Sequence, residues 1–189
     1  IDLIGNLRAV TLDRHGPAGI GPEDLRRHVD AVGRHHDRPV QIANYISDGK
    51  IVAQKIRYPD KTFEVVGDGK SLPLYGQHLW RDGGKSVTVT EGEIDALTMS
   101  QLFGNKWPVV SVPNGAQGAK KSIKKALPWL EQFESVIFMF DNDEPGQEAA
   151  RECALLLTPG KAKIATLPLK DANEMLQAGR GKEVIDAFW

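Results

Sequence analysis

The chain has 189 residues, a formal net charge of −1 and 26% charged residues, enough length for one large domain or two small ones with a proper core. The near-neutral balance excludes a global basic field, so any contact with nucleic acid must come from local clusters. A single cysteine, Cys153, excludes an internal disulfide and a cysteine zinc cage within the chain.

No signal peptide and no apolar run long enough to cross a bilayer is visible, which points to the cytoplasm. The first residue is Ile rather than Met, so the chain is expected to be a fragment of something longer. Residues 1–20 are punctuated by Gly and Pro, carry Arg8, Arg14 and His15, and predict no clear element. Gly21-Pro22-Glu23-Asp24 predicts a helix start, with Leu25, Val29 and Val32 as its apolar stripe. The stretch from Gly33 to Arg38 contains adjacent histidines, His35 and His36. Neighbouring side chains point to different sides and no cysteine accompanies them, so a solvated loop is expected there, not a metal site.

Val40–Asn44 and Ile51–Arg57 predict two strands joined by the turn Ser47-Asp48-Gly49-Lys50, and Thr62–Val66 predicts a third. Lys55 and Arg57 share one face of the second strand, with Lys61 just beyond. A triphosphate beside an acidic metal site needs such cations, although a solvated strand face is the ordinary explanation. Gly67–Gly84 reads as a connector packed down by Leu72, Leu74, Tyr75, Leu79 and Trp80. A subdomain boundary is expected near Asp82-Gly83-Gly84, dividing 1–84 from 85–189.

From Lys85 onward strands and helices alternate. Val87–Thr90 leads to a helix ending at Phe103, Val109–Val112 to one ending at Trp129, Val136–Phe140 to one ending at Leu157, and Ala162–Leu167 to two short helices. That alternation predicts a parallel, right-handed βαβ sheet with helices on both faces. Ligands of such sheets bind at the carboxyl ends of the strands, where four acids fall. Glu91 follows the first strand, with Asp95 one helical turn later and Glu93 expected to point away. Asp141 and Asp143 follow Phe140, and Asp171 follows the last strand. Paired carboxylates with no nearby base suit a hard cation such as Mg²⁺ or Mn²⁺, while turn and cap roles explain Asp141 and Asp143 equally well. Asn173 is expected to cap the helix starting at Glu174. Between the strands, Asn114-Gly-Ala-Gln-Gly-Ala is followed by Lys120, Lys121, Lys124 and Lys125. These lysines either solubilise a helix or grip template phosphates, and the second reading is favoured for Lys120 and Lys121. Cys153, among Ala149, Ala150 and Leu155, is expected to be a buried structural thiol.

Glu-Gly after one hydrophobic strand and Asp-x-Asp after a later one resemble the paired signature of the TOPRIM domain. Val-Thr-Glu-Gly-Glu-Ile-Asp95, Pro-Val-Val-Ser-Val112, Phe-Asp-Asn-Asp-Glu-Pro-Gly146 and Leu-Lys-Asp-Ala-Asn-Glu174 occur in that order. The set resembles the primase half of the primase-helicases of T7-like bacteriophages, strongly from Lys50 to Trp189 and weakly before. The resemblance implies a TOPRIM parallel sheet flanked by helices, preceded by a small α+β subdomain. It also implies an RNA polymerase of the primase type, making short primers from ribonucleoside triphosphates on single-stranded DNA with Mg²⁺ or Mn²⁺. Asp141 and Asp143 would be metal ligands, and Glu91 a further ligand or the general base. Asp95 would support the metal, and Asp171 would contribute to the active site. Lys55 and Lys61 match nucleotide-binding lysines, with Arg57 between them, but Glu64 stands near the family's next basic position. Zinc-binding and helicase domains of the parent chain, a replicative DNA polymerase and the cytoplasm of an infected bacterial host are the implied partners and setting. No zinc site is expected within the fragment.

Rival readings remain open. A TOPRIM nuclease or topoisomerase would cleave phosphodiester bonds, but Tyr45, Tyr58 and Tyr75 lack a setting that marks a nucleophile. An aspartyl-phosphate phosphatase has no place for Glu91-Gly92, and a non-catalytic DNA-binding scaffold would not need Asp141.

Overall fold

The computed structural model describes residues 8–9, 20, 27–28 and 31–188. The helix expected after Gly21 falls largely outside these residues, although Val32 lies in a strand. Five strands, β1 (Arg8–Ala9), β2 (Ala31–His35), β3 (Arg38–Ser47), β4 (Lys50–Arg57) and β5 (Phe63–Gly67), form an antiparallel sheet in chain order. The β3–β4 turn is Asp48-Gly49, with φ of 50° and 71°. Two consecutive left-handed residues match the twist of the flanking strands, which is why Asp-Gly marks this hairpin so clearly.

The expected loop at Gly33–Arg38 is instead a second hairpin, turning at His36 and Asp37 (φ 48° and 58°). His and Asp tolerate the left-handed region better than most side chains, and tertiary contacts fix the turn. His35 is buried with Nδ1 2.7 Å from the Tyr58 hydroxyl, and the Arg38 guanidinium lies 4.3 Å from the Tyr58 ring centroid. His35 is therefore a packed core residue.

A second sheet is parallel throughout. It contains β6 (Gly84–Thr90), β7 (Val109–Ser111), β8 (Phe133–Met139) and β9 (Ala162–Ile164), in the order β7-β6-β8-β9. Helices α1 (Glu93–Leu102), α2 (Gly115–Leu130) and α3 (Glu144–Ala154) connect the strands, and α4 (Ala172–Gln177) and α5 (Gly181–Phe188) follow β9. Alternation along β8 divides its side chains between two cores. Val136, Phe138 and Phe140 face α2 and α3, where Ile123, Ala150 and Cys153 complete one cluster. Ile137 and Met139 face α1, α4 and α5, together with Tyr45, Ala53 and Tyr75 from the first sheet and its connector. The two sheets therefore share a core. At the amino edge of the parallel sheet, Lys161 donates to the Phe133 carbonyl at 2.7 Å and pairs with Glu131 at 3.3 Å. Among the described residues no helix is long and apolar enough to cross a membrane.

Candidate active site

Where the carboxyl ends of β6 and β8 face the antiparallel sheet, the chain encloses a cavity of about 380 Å³. One wall comes from β3, β4 and β5 and presents Lys55, Arg57, Lys61 and Phe63. The other presents Glu91, Glu93, Asp95, Asp141, Lys170 and Asp171. Cations and carboxylates thus meet across the seam between two sheets.

Glu91 stands directly after β6, and its Oε1 accepts the Ala116 N–H at 3.2 Å, at the start of α2. Its Oε2 is buried without a hydrogen-bond partner. Burial, reinforced by the Asp141 charge, raises the Glu91 pKa above the usual carboxylate value. Gly146 makes the close approach here possible: a Cβ on it would lie 2.5 Å from the Asp141 carbonyl oxygen and 3.0 Å from Glu91 Oε2.

Carboxylate oxygens of Asp95, Asp141 and Asp171 all lie within 4.8 Å of one another. Asp95 is pushed up to about 8, by burial first and by Asp171 second. Asp141 is also raised by burial, against the pull of Lys170, whose Nζ lies 3.1 Å from Asp141 Oδ2. A base does accompany these acids, contrary to the expected unpaired carboxylates: Lys170, from the segment between β9 and α4. The three gathered oxygens form an all-oxygen, electron-rich donor set, and the unpartnered Glu91 Oε2 lies in the lining of the same cavity. Such a set fits a hard divalent cation.

Asp143 is exposed and caps α3, accepting the Gly146 N–H at 3.0 Å. Asp171 caps α4, accepting the Glu174 N–H at 2.7 Å. That cap had been expected from Asn173, which lies inside α4 instead. Its backbone N–H donates to Asp95 Oδ1 at 3.1 Å and its side-chain amide to Thr98 Oγ1 at 3.0 Å.

On the opposite wall, Lys55 is tied down. Its Nζ donates to Glu93 Oε1 at 2.8 Å and to the Pro113 carbonyl at 3.0 Å. The Tyr45 hydroxyl donates to the same Glu93 oxygen. Glu93 therefore points into the cavity, contrary to the expectation from helical phase. Its target belongs to the other sheet, so no local pattern could have announced the pair. Lys120 and Lys121 are exposed on α2 and do not line the cavity; Lys120 lies 3.5 Å from Glu152. Lys125 donates to the Ser71 carbonyl at 2.6 Å.

Residues 88–176 match the Toprim-like family model, and residues 26–67 match the N-terminal a+b fold of the bacteriophage T7 DNA helicase/primase. A DNA helicase/primase of Enterobacteria phage T3 is 42% identical over 172 residues, covering 90% of this chain and 30% of that protein. The crystal structure of the primase fragment of the bacteriophage T7 primase-helicase superposes with a TM-score of 0.88 at 40% identity, covering 94% of this chain and 75% of that one. The chain belongs to this family of phage primase domains. A primase domain solved with the T7 lagging-strand DNA polymerase, where two subunits bind an RNA/DNA hybrid and dTTP, gives a TM-score of 0.87 at 40% identity. It covers 97% of this chain and 92% of that one. The expected TOPRIM sheet with flanking helices and the expected family are both borne out. As a primase domain, the chain spans 30% of the T3 protein's length.

Proposed function

We propose that this chain is the catalytic part of a DNA primase, which joins ribonucleotides on a single-stranded DNA template by nucleotidyl transfer. The observation that carries this reading is the cavity in which carboxylates of one sheet face Lys55, Arg57 and Lys61 of the other. Phosphoryl chemistry of this kind depends on positioning and charge compensation more than on covalent help from the protein.

In this reading a 3′ hydroxyl attacks the α-phosphate of a ribonucleoside triphosphate, and pyrophosphate leaves. Asp95, Asp141 and Asp171 would hold a divalent cation, with Asp143, on the α3 cap outside the gathered set, as a further ligand. Mg²⁺ or Mn²⁺ bound there would supply charge neutralisation and a lowered pKa for the attacking hydroxyl. Glu91 takes the hydroxyl proton on Oε2; its raised pKa suits a proton acceptor, and the Ala116 N–H holds its other oxygen. Glu93 and Tyr45 orient Lys55 toward the triphosphate, with Arg57 and Lys61 beside it. Lys170 compensates part of the acidic charge when no cation is bound. Lys120 and Lys121 contact template phosphates outside the cavity.

The division into an N-terminal subdomain, 1–84, and a catalytic one, 85–189, belongs to the same proposal. So do a zinc-binding domain and a helicase in the parent protein, a replicative DNA polymerase as partner, and the cytoplasm of an infected bacterium as setting. No zinc site within the chain is part of this reading.

The test is incubation with single-stranded DNA, ribonucleoside triphosphates and Mg²⁺ or Mn²⁺, followed by electrophoresis for short RNA. Template-dependent RNA that vanishes in Asp141→Asn is the expected result. DNA degradation without nucleotides would favour a nuclease instead.

A further inference from the structure

Phe63 is the exposed large aromatic among the described residues, with 61% of its surface open to solvent. It lies on β5, the edge strand of the antiparallel sheet, and lines the cavity. In register, Phe63 stands opposite Arg57 and Val65 opposite Lys55, so the four side chains share one face. Lys55 Nζ lies 4.9 Å from the Phe63 ring centroid.

A large apolar ring left open beside three cations does little for the core. A ligand that joins a flat π-face to negative charge would use both features, and a nucleotide is such a ligand. With its base on the ring, its phosphates would fall beside Lys55, Arg57 and Lys61, within reach of the carboxylates across the cavity. Base–aromatic stacking tolerates every base, because all have a π-face. We propose that Phe63 is a stacking platform for a nucleobase at the mouth of the catalytic cavity. The base belongs either to a ribonucleoside triphosphate or to single-stranded DNA. This inference rests on the cavity being a nucleotide site, as proposed above.

The competing explanation is that the ring merely steadies Lys55. Binding of ATP, inorganic tripolyphosphate and a single-stranded oligodeoxynucleotide to the full chain separates the two. Phe63→Ala and Phe63→Leu should weaken ATP or oligonucleotide binding by about tenfold, and the probe that loses affinity identifies the source of the base. Tripolyphosphate, which has no base, should bind as before, and Phe63→Trp should retain wild-type affinity. The thermal midpoint should not move, since the ring is mostly exposed.

Unchanged affinity for both base-containing probes would overturn the proposal. So would a loss for tripolyphosphate matching the loss for ATP or for the oligodeoxynucleotide. Because affinity is read rather than product, absence of RNA synthesis would count against the primase reading alone.

Discussion

Asp95 sits where burial and the neighbouring Asp171 push its pKa from 3.8 to about 8. The unfolded chain releases this proton near its ordinary value, whereas the folded protein keeps it until about pH 8. Stability from this group is therefore full below about pH 4, falls as pH rises through the window to about 8, and then levels. Thermal melts in EDTA should become lower across that window, and Asp95→Asn should flatten the trend. A melting point equally steep in the variant would show that the slope arises elsewhere. Mg²⁺ should raise the melting point more near pH 8 than near pH 5, since binding favours the ionised carboxylates. Asp141→Asn should cut primer synthesis by at least about a hundredfold without lowering the melting point, as it removes charge from a crowded cluster. Activity assays paired with melts check both halves.

Whole elements, rather than single groups, set the two walls of the cavity. Gly146 in the first turn of α3 lies against the Asp141 carbonyl, where a Cβ would fall at 2.5 Å. Gly146→Ala should displace α3, cost about 1–3 kcal/mol and lower activity, because Asp141 and Glu91 move with it. Denaturant titration reads the first effect and RNA synthesis the second. Cations of the β4–β5 hairpin and of α2 should differ in kind. Lys55→Ala and Lys61→Ala should weaken nucleotide binding, whereas Lys120→Ala and Lys121→Ala should reduce the salt dependence of DNA binding by about one phosphate contact each. Equal shifts in DNA affinity for all four would defeat that division.

The alternation behind these elements was legible because β6, β7 and β8 carry apolar runs rich in β-branched residues, and β6 and β8 lead into the acids Glu91 and Asp141. Less visible were features decided between elements. Asn and Asp cap helices about equally well, so only the bond from Asn173 to the buried Thr98 hydroxyl shows why Asp171 took the cap. The β2–β3 turn lacks glycine and is held by Tyr58. Glu93 and Lys170 acquire their roles from partners elsewhere in the fold, Lys55 on β4 and Asp141 after β8.

At the scale of the molecule, the core containing Tyr45, Ala53, Tyr75, Leu97, Met139 and Met175 spans both sheets. Unfolding should therefore be a single cooperative transition, with calorimetric and van't Hoff enthalpies in agreement; two resolved transitions would mean that the sheets melt separately. The parallel sheet also has two unlike edges. Its carboxyl edge gathers mutually repelling acids, while its amino edge is clasped by Lys161 against Glu131 and the Phe133 carbonyl. Robustness and chemistry are thus assigned to opposite ends of the same four strands. An engineer who needs a hardier enzyme should work at the amino edge, around Lys161 and the β8 entry. On the proposed function, substitutions there can raise heat resistance without touching turnover, whereas any gain from neutralising acids at the other edge would be taken directly from catalysis.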